Sequence, residues 1–207
     1  MSQLEIFIHQ GDLPDTLGFS GSVAVDSETL GLNPHRDRLC VVQISTGDNT
    51  AHLVQFQKDD YAAPNLRALL KNPEIEKIFH FARFDIAVFK QYLAVDTAPV
   101  FCTKVASKLV RTYTNRHGLK DLTAELLGIE LSKQQQSSDW ASVDLSEAQK
   151  RYAASDVVYL HALKNRLVAM LERENRMHYA QAAFGFLPMR AELDLAGFGE
   201  IDIFSHE

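Results

Sequence analysis

The spacing of apolar residues changes part-way along the chain. Leu4, Ile6 and Ile8 alternate with polar residues, the two-residue repeat of a half-buried strand. Short apolar runs at 22–26 (SVAVD), Leu39–Ser45 (LCVVQIS) and 51–54 predict further strands, and Thr46-Gly47-Asp48-Asn49 between the last two reads as a hairpin turn. Two more strands are expected at 75–80 and Val100–Cys102. Elsewhere the repeat lengthens to three and four, which predicts helices at 65–71 (stopped before Pro73), 84–93, 104–110 and Leu119–Leu127, the last closed by Gly128. From Leu145 the helical pattern is long. Ser146 with Glu147 and Gln149 suits a helix start, and an apolar stripe runs through Ala153, Val157, Leu160, Leu163 and Leu167. A last helix is expected over about 176–186, followed after Pro188 by an acidic, aromatic tail. Together these elements predict an α/β fold with a central mixed β-sheet flanked by helices, one domain over 1–207, with a core at about 22–170 and a C-terminal helix and tail at 175–207.

The tail (Leu193, Phe198, Ile201, Ile203, Phe204) is too apolar to hang free, and is expected to dock on its own subunit or to form a subunit interface. The two cysteines, Cys40 and Cys102, sit in apolar runs and match no zinc spacing, so reduced buried thiols are expected. The N-terminus lacks the basic segment of a signal peptide, and no apolar run approaches the roughly 20 residues of a membrane span. A cytoplasmic protein without membrane contact is the expectation.

With 21 Lys+Arg against 27 Asp+Glu the net charge is −6, which as a sum argues against a nucleic-acid binder. The distribution says otherwise. Residues 97–120 carry Lys104, Lys108, Arg111, Arg116 and Lys120 and no carboxylate. That stretch is either a surface for backbone phosphates, with His117 as a further donor, or a solvated basic helix face.

The acidic residues carry the chemistry. In a strand, residues i and i+2 share a face, so Asp26 and Glu28 can point into one space. Paired carboxylates repel unless a cation lies between them, and an oxygen-only ligand set suits Mg²⁺ or Mn²⁺. Alone, the pair is equally a solvated strand end. Asp85 lies between Phe84 and Ile86 at a helix start, where a carboxylate also favours the helix dipole. Tyr152 and Asp156 stand four apart and stack on one helix face, either as a functional pair or as a contact at the rim of the core.

The conjunction is more telling than its parts. Asp26, Glu28, Asp85 and Asp156, with a tyrosine four before the last, resemble the DEDD superfamily of 3′–5′ exonucleases in its Tyr-bearing, ribonuclease D-like branch. The His-bearing branch has its histidine five before the last Asp, where this chain has Arg151. His117-Gly118-Leu119-Lys120-Asp121-Leu122, the Ser138-Asp139-Trp140 turn and residues 145–160 match the same pattern, which covers about 23–167. Ser27 stands where the family usually has Thr, a departure expected to be without consequence because that side chain is not a ligand. No accessory helical domain of the HRDC kind follows, so the chain looks most like the short, single-domain nano-RNase C type, which degrades very short RNA and assembles into a ring.

The resemblance implies a ribonuclease H-like (DnaQ-like exonuclease) fold, two divalent cations (Mg²⁺ or Mn²⁺), and hydrolysis of RNA from its 3′ end to nucleoside 5′-monophosphates. Asp26 would bridge both ions, Glu28 and Asp156 would complete the site of the attacking water, Asp85 would support the second ion, and Tyr152 would orient the water and help remove its proton. Very short single-stranded RNA, including dinucleotides, is the expected substrate; the competing readings are 3′-end trimming of tRNA and structured RNA, a DNA exonuclease, and an inert nucleic-acid-binding relative. Candidate substrate contacts are Thr29, Leu30, His80, Phe84, Arg111, Arg116, His117, Lys120 and Trp140, of which Leu30, Phe84 and Trp140 either stack on or wedge bases or belong to the core or rim. A homo-oligomer is expected, with an octameric ring as the implied form.

Overall fold

A computed structural model describes residues 4–206 apart from Asp59, Lys133 and Gln136. Its strands are β1 (Glu5–Gln10), β2 (Ser22–Thr29), β3 (Leu39–Ser45), β4 (Thr50–Gln55), β5 (Glu76–Phe79) and β6 (Val100–Cys102), in one sheet of order β1-β4-β3-β2-β5-β6. β2–β3 and β3–β4 are antiparallel, while β1–β4, β2–β5 and β5–β6 are parallel. The central strand β2 is therefore antiparallel to β3 on one side and parallel to β5 on the other. The expected mixed sheet and hairpin are both present.

The helices are α1 (Pro64–Lys71), α2 (Ala82–Leu93), α3 (Thr103–Val110), α4 (Leu119–Leu127), α5 (Glu147–Val158), α6 (Leu160–Arg173) and α7 (Met177–Leu193). α5 lies across β2, β3 and β4, whereas α2, α3, α6 and α7 pack with one another around β5 and β6. Val23, Val25, Val41, Val42, Ile44 and Ile78 in the strands and Leu160, Leu163 and Leu167 in α6 are wholly buried in one core. No described helix is long and apolar enough to cross a membrane.

Two expectations need correction. The long helix is interrupted at Tyr159 (φ −97°, ψ −6°), where α5 gives way to α6. The last helix does not end before Pro188 but runs on to Leu193 with the proline inside it. An interior proline forfeits one backbone hydrogen bond, at about 3 kcal/mol; here Phe184, Leu187 and Ala191 are buried on both sides of it, and α7 packs along α2. The tail is anchored to its own subunit at its root. Asp194 pairs with Arg83 and with Arg190 (3.0 Å), and Arg190 also donates to the carbonyls of Phe198 (3.1 Å) and Gly199 (2.8 Å).

Candidate active site

β2 and α5 build most of the acidic centre. Asp26 and Glu28 project from the same face of β2, opposite Gln43 and Val41 of β3. α5 starts on a capping box in which Ser146 and Gln149 each bond the other's backbone N–H (3.3 and 3.0 Å). The same Gln149 amide donates to the Asp139 carbonyl (3.0 Å), so the cap that fixes the helix also fixes the Ser138–Trp140 turn. One oxygen from each of Asp26, Glu28 and Asp156 lies within 4.8 Å of the others. Asp85, in the first turn of α2, is 3% exposed and accepts a 2.7 Å hydrogen bond from Ser27 Oγ. Tyr152 lies one turn before Asp156, and its phenol lowers the pKa of that carboxylate by donating towards it.

The electrostatics are those of a crowded anion cluster. Burial is the largest cause of each upward shift, and repulsion from neighbouring acids adds to it at Asp26, Glu28 and Asp85: Asp26 is raised well above its ordinary value, Glu28 to about 9, and Asp85 and Asp156 to about 7. The hydrogen bond from Ser27 opposes the rise at Asp85. The Tyr152 phenol is raised too, by burial and then by Asp156, so it stays protonated at neutral pH and acts as a donor. Negative charge is costly here without a cation. Half-buried, convergent carboxylate oxygens with no Lys or Arg among them are a hard-cation donor set, and they fit a divalent ion such as Mg²⁺ or Mn²⁺.

These residues floor a cleft of about 630 Å³. Of the candidate contacts, Thr29, Leu30, His80, Phe84, Lys120 and Trp140 line it with Tyr152. Leu30 is half exposed at the rim, and its loop turns back at Gly31, where a Cβ would meet Asp37 Oδ2 at 2.3 Å. Arg111, Arg116 and His117 do not line the cleft. Arg111 is fully buried, pairs with Glu125 and donates to Ser107 Oγ (3.0 Å) and the Arg116 carbonyl (2.7 Å), tying α3 to α4. Arg116 pairs with Asp121 (2.7 Å), and His117 bonds Ser107 (2.8 Å). The partnering carboxylates lie just past the basic stretch, which is why the stretch looks unpaired in sequence. Trp140, for which base stacking and a place in the core were the alternatives, is 2% exposed and packs against Tyr152, with ring centroids 5.9 Å apart.

Sequence reasoning missed Ser27 as the partner of Asp85, and it missed Lys104 as a cleft residue. Lys104 Nζ lies 4.2 Å from the Phe81 ring centroid at the cleft wall. Its place among five basic residues was visible; that α3 turns this one inward depends on the β6–α3 junction.

A family profile described as 3′–5′ exonuclease matches residues 7–172. Ribonuclease D of Acidiphilium cryptum is 35% identical over 167 residues, covering 81% of this chain and 42% of that protein. The chain thus spans about two fifths of the length of the curated relatives it matches. NrnC of Brucella melitensis bound to pGG superposes with a TM-score of 0.96 at 56% identity, covering 99% of this chain and 100% of that one, and NrnC with bound Mg²⁺ superposes with a TM-score of 0.94. Escherichia coli RNase D, at 23% identity and a TM-score of 0.72 over 83% of this chain, shares the fold. The chain belongs to the ribonuclease D-like DEDD family of 3′–5′ exonucleases, whose fold is ribonuclease H-like. Within that family it is of the NrnC type.

Proposed function

We propose that this protein hydrolyses phosphodiester bonds at the 3′ end of very short RNAs, dinucleotides included, releasing nucleoside 5′-monophosphates. The observation that carries the reading is the half-buried carboxylate cluster at the floor of a cleft whose about 630 Å³ is the size of a small-molecule site. A mononucleotide or dinucleotide fits that volume; a long strand needs contacts beyond it. NrnC, of near-identical fold, binds pGG, which supports the same choice.

Asp26, Glu28 and Asp156 would hold one divalent cation, and Asp26 with Asp85 a second. When bound, the cations offset the acidic charge, draw the phosphate in and ease both loss of the water's proton and departure of the leaving oxygen. Tyr152, raised by burial and Asp156 and so protonated, would orient the attacking water rather than serve as its primary base. Lys104 and Lys120 line the same cleft and would meet the substrate's phosphates. Trp140 holds the Tyr152 ring.

We propose further that residues of about 22–170 are the catalytic core and that 175–207 serve self-association into a closed homo-oligomer. Phe186, Met189, Phe198, Ile201, Ile203 and Phe204 are exposed together around the pinned tail. A cytoplasmic setting goes with two free, buried cysteines.

The test is a ladder of 5′-labelled RNAs from two to about twenty nucleotides, with Mg²⁺ or Mn²⁺ and with EDTA. Steeply faster cleavage of the shortest RNAs, abolished by chelation, is expected. Equal rates along the ladder would overturn the short-substrate reading, and cleavage in EDTA would overturn the metal assignment.

A further inference from the structure

His80 stands at the wall of the cleft with its hydrogen-bonding state already fixed by the fold. His80 directly follows β5, the parallel neighbour of β2, and it lines the same cleft as Asp26. Its Nδ1 lies 2.9 Å from Thr103 Oγ1, and that hydroxyl donates to the Phe79 carbonyl at 3.1 Å. A hydroxyl has one proton, and a carbonyl can only accept it. The Thr103 proton is therefore committed to Phe79, so the Thr103 oxygen must accept from His80, and Nδ1 must carry the ring proton. In a neutral imidazole the other nitrogen, Nε2, is then left as an acceptor. Nε2 bonds no described residue, and His80 lines the cleft.

An acceptor at this place restricts what it can bind. Phosphate oxygens and base carbonyls are acceptors too, and Nε2 repels them; the phosphate donors in the cleft are Lys104 and Lys120. Beside Asp26, where the scissile phosphate approaches, the nearest donors a nucleotide offers are its sugar hydroxyls. We propose that His80 Nε2 accepts a hydrogen bond from the 2′-hydroxyl of the 3′-terminal nucleotide and thereby selects ribose ends over deoxyribose ends. The proposal rests on the nuclease reading above and deepens it to substrate sugar. Burial, reinforced by Lys104, holds the His80 pKa down at about 3, so the ring remains neutral through the physiological range. Thr103 acts as a positioning residue, since it reaches the substrate only through the tautomer it imposes.

Two measurements test this. Nitrogen NMR of the histidine-labelled, substrate-free protein should show Nδ1 protonated and Nε2 not; the reverse tautomer would overturn the proposal. Cleavage of three dinucleotides should then be compared: all-ribose, 2′-deoxy at the 3′ nucleotide, and 3′-deoxy at the 3′ nucleotide. In the unmodified protein the 2′-deoxy substrate should lose roughly tenfold in kcat/KM, the size of one hydrogen bond, and a loss confined to the 3′-deoxy substrate would overturn the proposal. In His80→Leu that ratio should collapse to within about twofold, and Thr103→Val, which frees the tautomer, should fall between. A uniform slowing of all three substrates in His80→Leu, with their ratios unchanged, would overturn the sugar contact. Failure of the unmodified protein to cleave even the all-ribose dinucleotide would overturn the nuclease reading itself, and it differs from a flattened ratio in plain view.

Discussion

Ser27 Oγ donates to Asp85 Oδ1 at 2.7 Å in a buried contact that links β2 to the first turn of α2. The residue between the two β2 acids is therefore a support for the third acid. Removing the hydroxyl leaves Asp85 without the contact that opposes its upward pKa shift. Ser27→Ala should weaken divalent-cation binding by about 10- to 100-fold, as loss of an outer-shell partner does. Ser27→Thr, which keeps the hydroxyl, should remain within about twofold of the parent. Titration calorimetry with Mn²⁺ reads both, and equal affinity in all three proteins would refute the link.

The acids should also make the metal-free protein sensitive to alkali. Asp26, Glu28, Asp85 and Asp156 all have folded-state pKa values above the unfolded values of about 4. The folded state thus holds protons that the unfolded chain has released. Their contribution to stability is complete below about pH 4 and is lost as pH rises towards about 9, the value to which burial raises Glu28. Thermal melts in EDTA should show the melting temperature declining between pH 5 and 9, with the increment gained from Mn²⁺ growing over the same range. A flat metal increment across that range would contradict the cluster's role.

Neutralising one acid should separate stability from catalysis. Asp26→Asn or Asp156→Asn relieves repulsion, so the metal-free variant should melt higher by a few degrees, corresponding to about 1 kcal/mol. Both variants should lose nuclease activity below detection and lose stabilisation by Mn²⁺. Retention of more than a few per cent of activity would remove either residue from the metal site.

Tyr152→Phe keeps the ring against Trp140 and deletes only the donor. Cation stabilisation should be unchanged while kcat falls by about 10²-fold or more, the scale of a lost proton-handling group. Full activity would make the phenol structural.

The two classes of basic residue should part in kinetics. Lys104→Ala and Lys120→Ala should raise KM for dinucleotides severalfold and steepen no melt. Arg111→Met, which strips Glu125 of its buried partner, should lower stability by about 1–3 kcal/mol and leave KM alone. A KM effect at Arg111 would reopen it as a phosphate contact.

Much of this arrangement was legible in the chain because it depends on local period. Asp26 and Glu28 share a face by strand geometry, Tyr152 and Asp156 by helix geometry, and the capping residues Ser146 and Gln149 announced α5. What the sequence hid depends on contacts between distant segments. Whether Arg111 meets a phosphate or Glu125 is decided by how α3 lies on α4, and whether Trp140 faces a base or Tyr152 by how its turn folds under α5. Pro188 misled for a related reason. Its local preference against a helix interior is outweighed by burial on both sides of it, which no single-residue propensity registers.

The strand and helices that carry the acids arrive from three separate parts of the chain, and their acidic ends push apart. What presses them together is the hydrocarbon interior behind them: Val23 and Val25 under β2, Ile86 and Phe89 on α2, Ala153 and Val157 on α5. The fold behaves as a loaded clamp whose jaws are charged and whose spring is oil. An arriving cation releases a load already borne by the interior, so part of the grip on the ion is set by side chains that never approach it. Loosening that spring at Val157 should therefore be felt first at the jaws, as weaker metal binding, before the fold as a whole gives way.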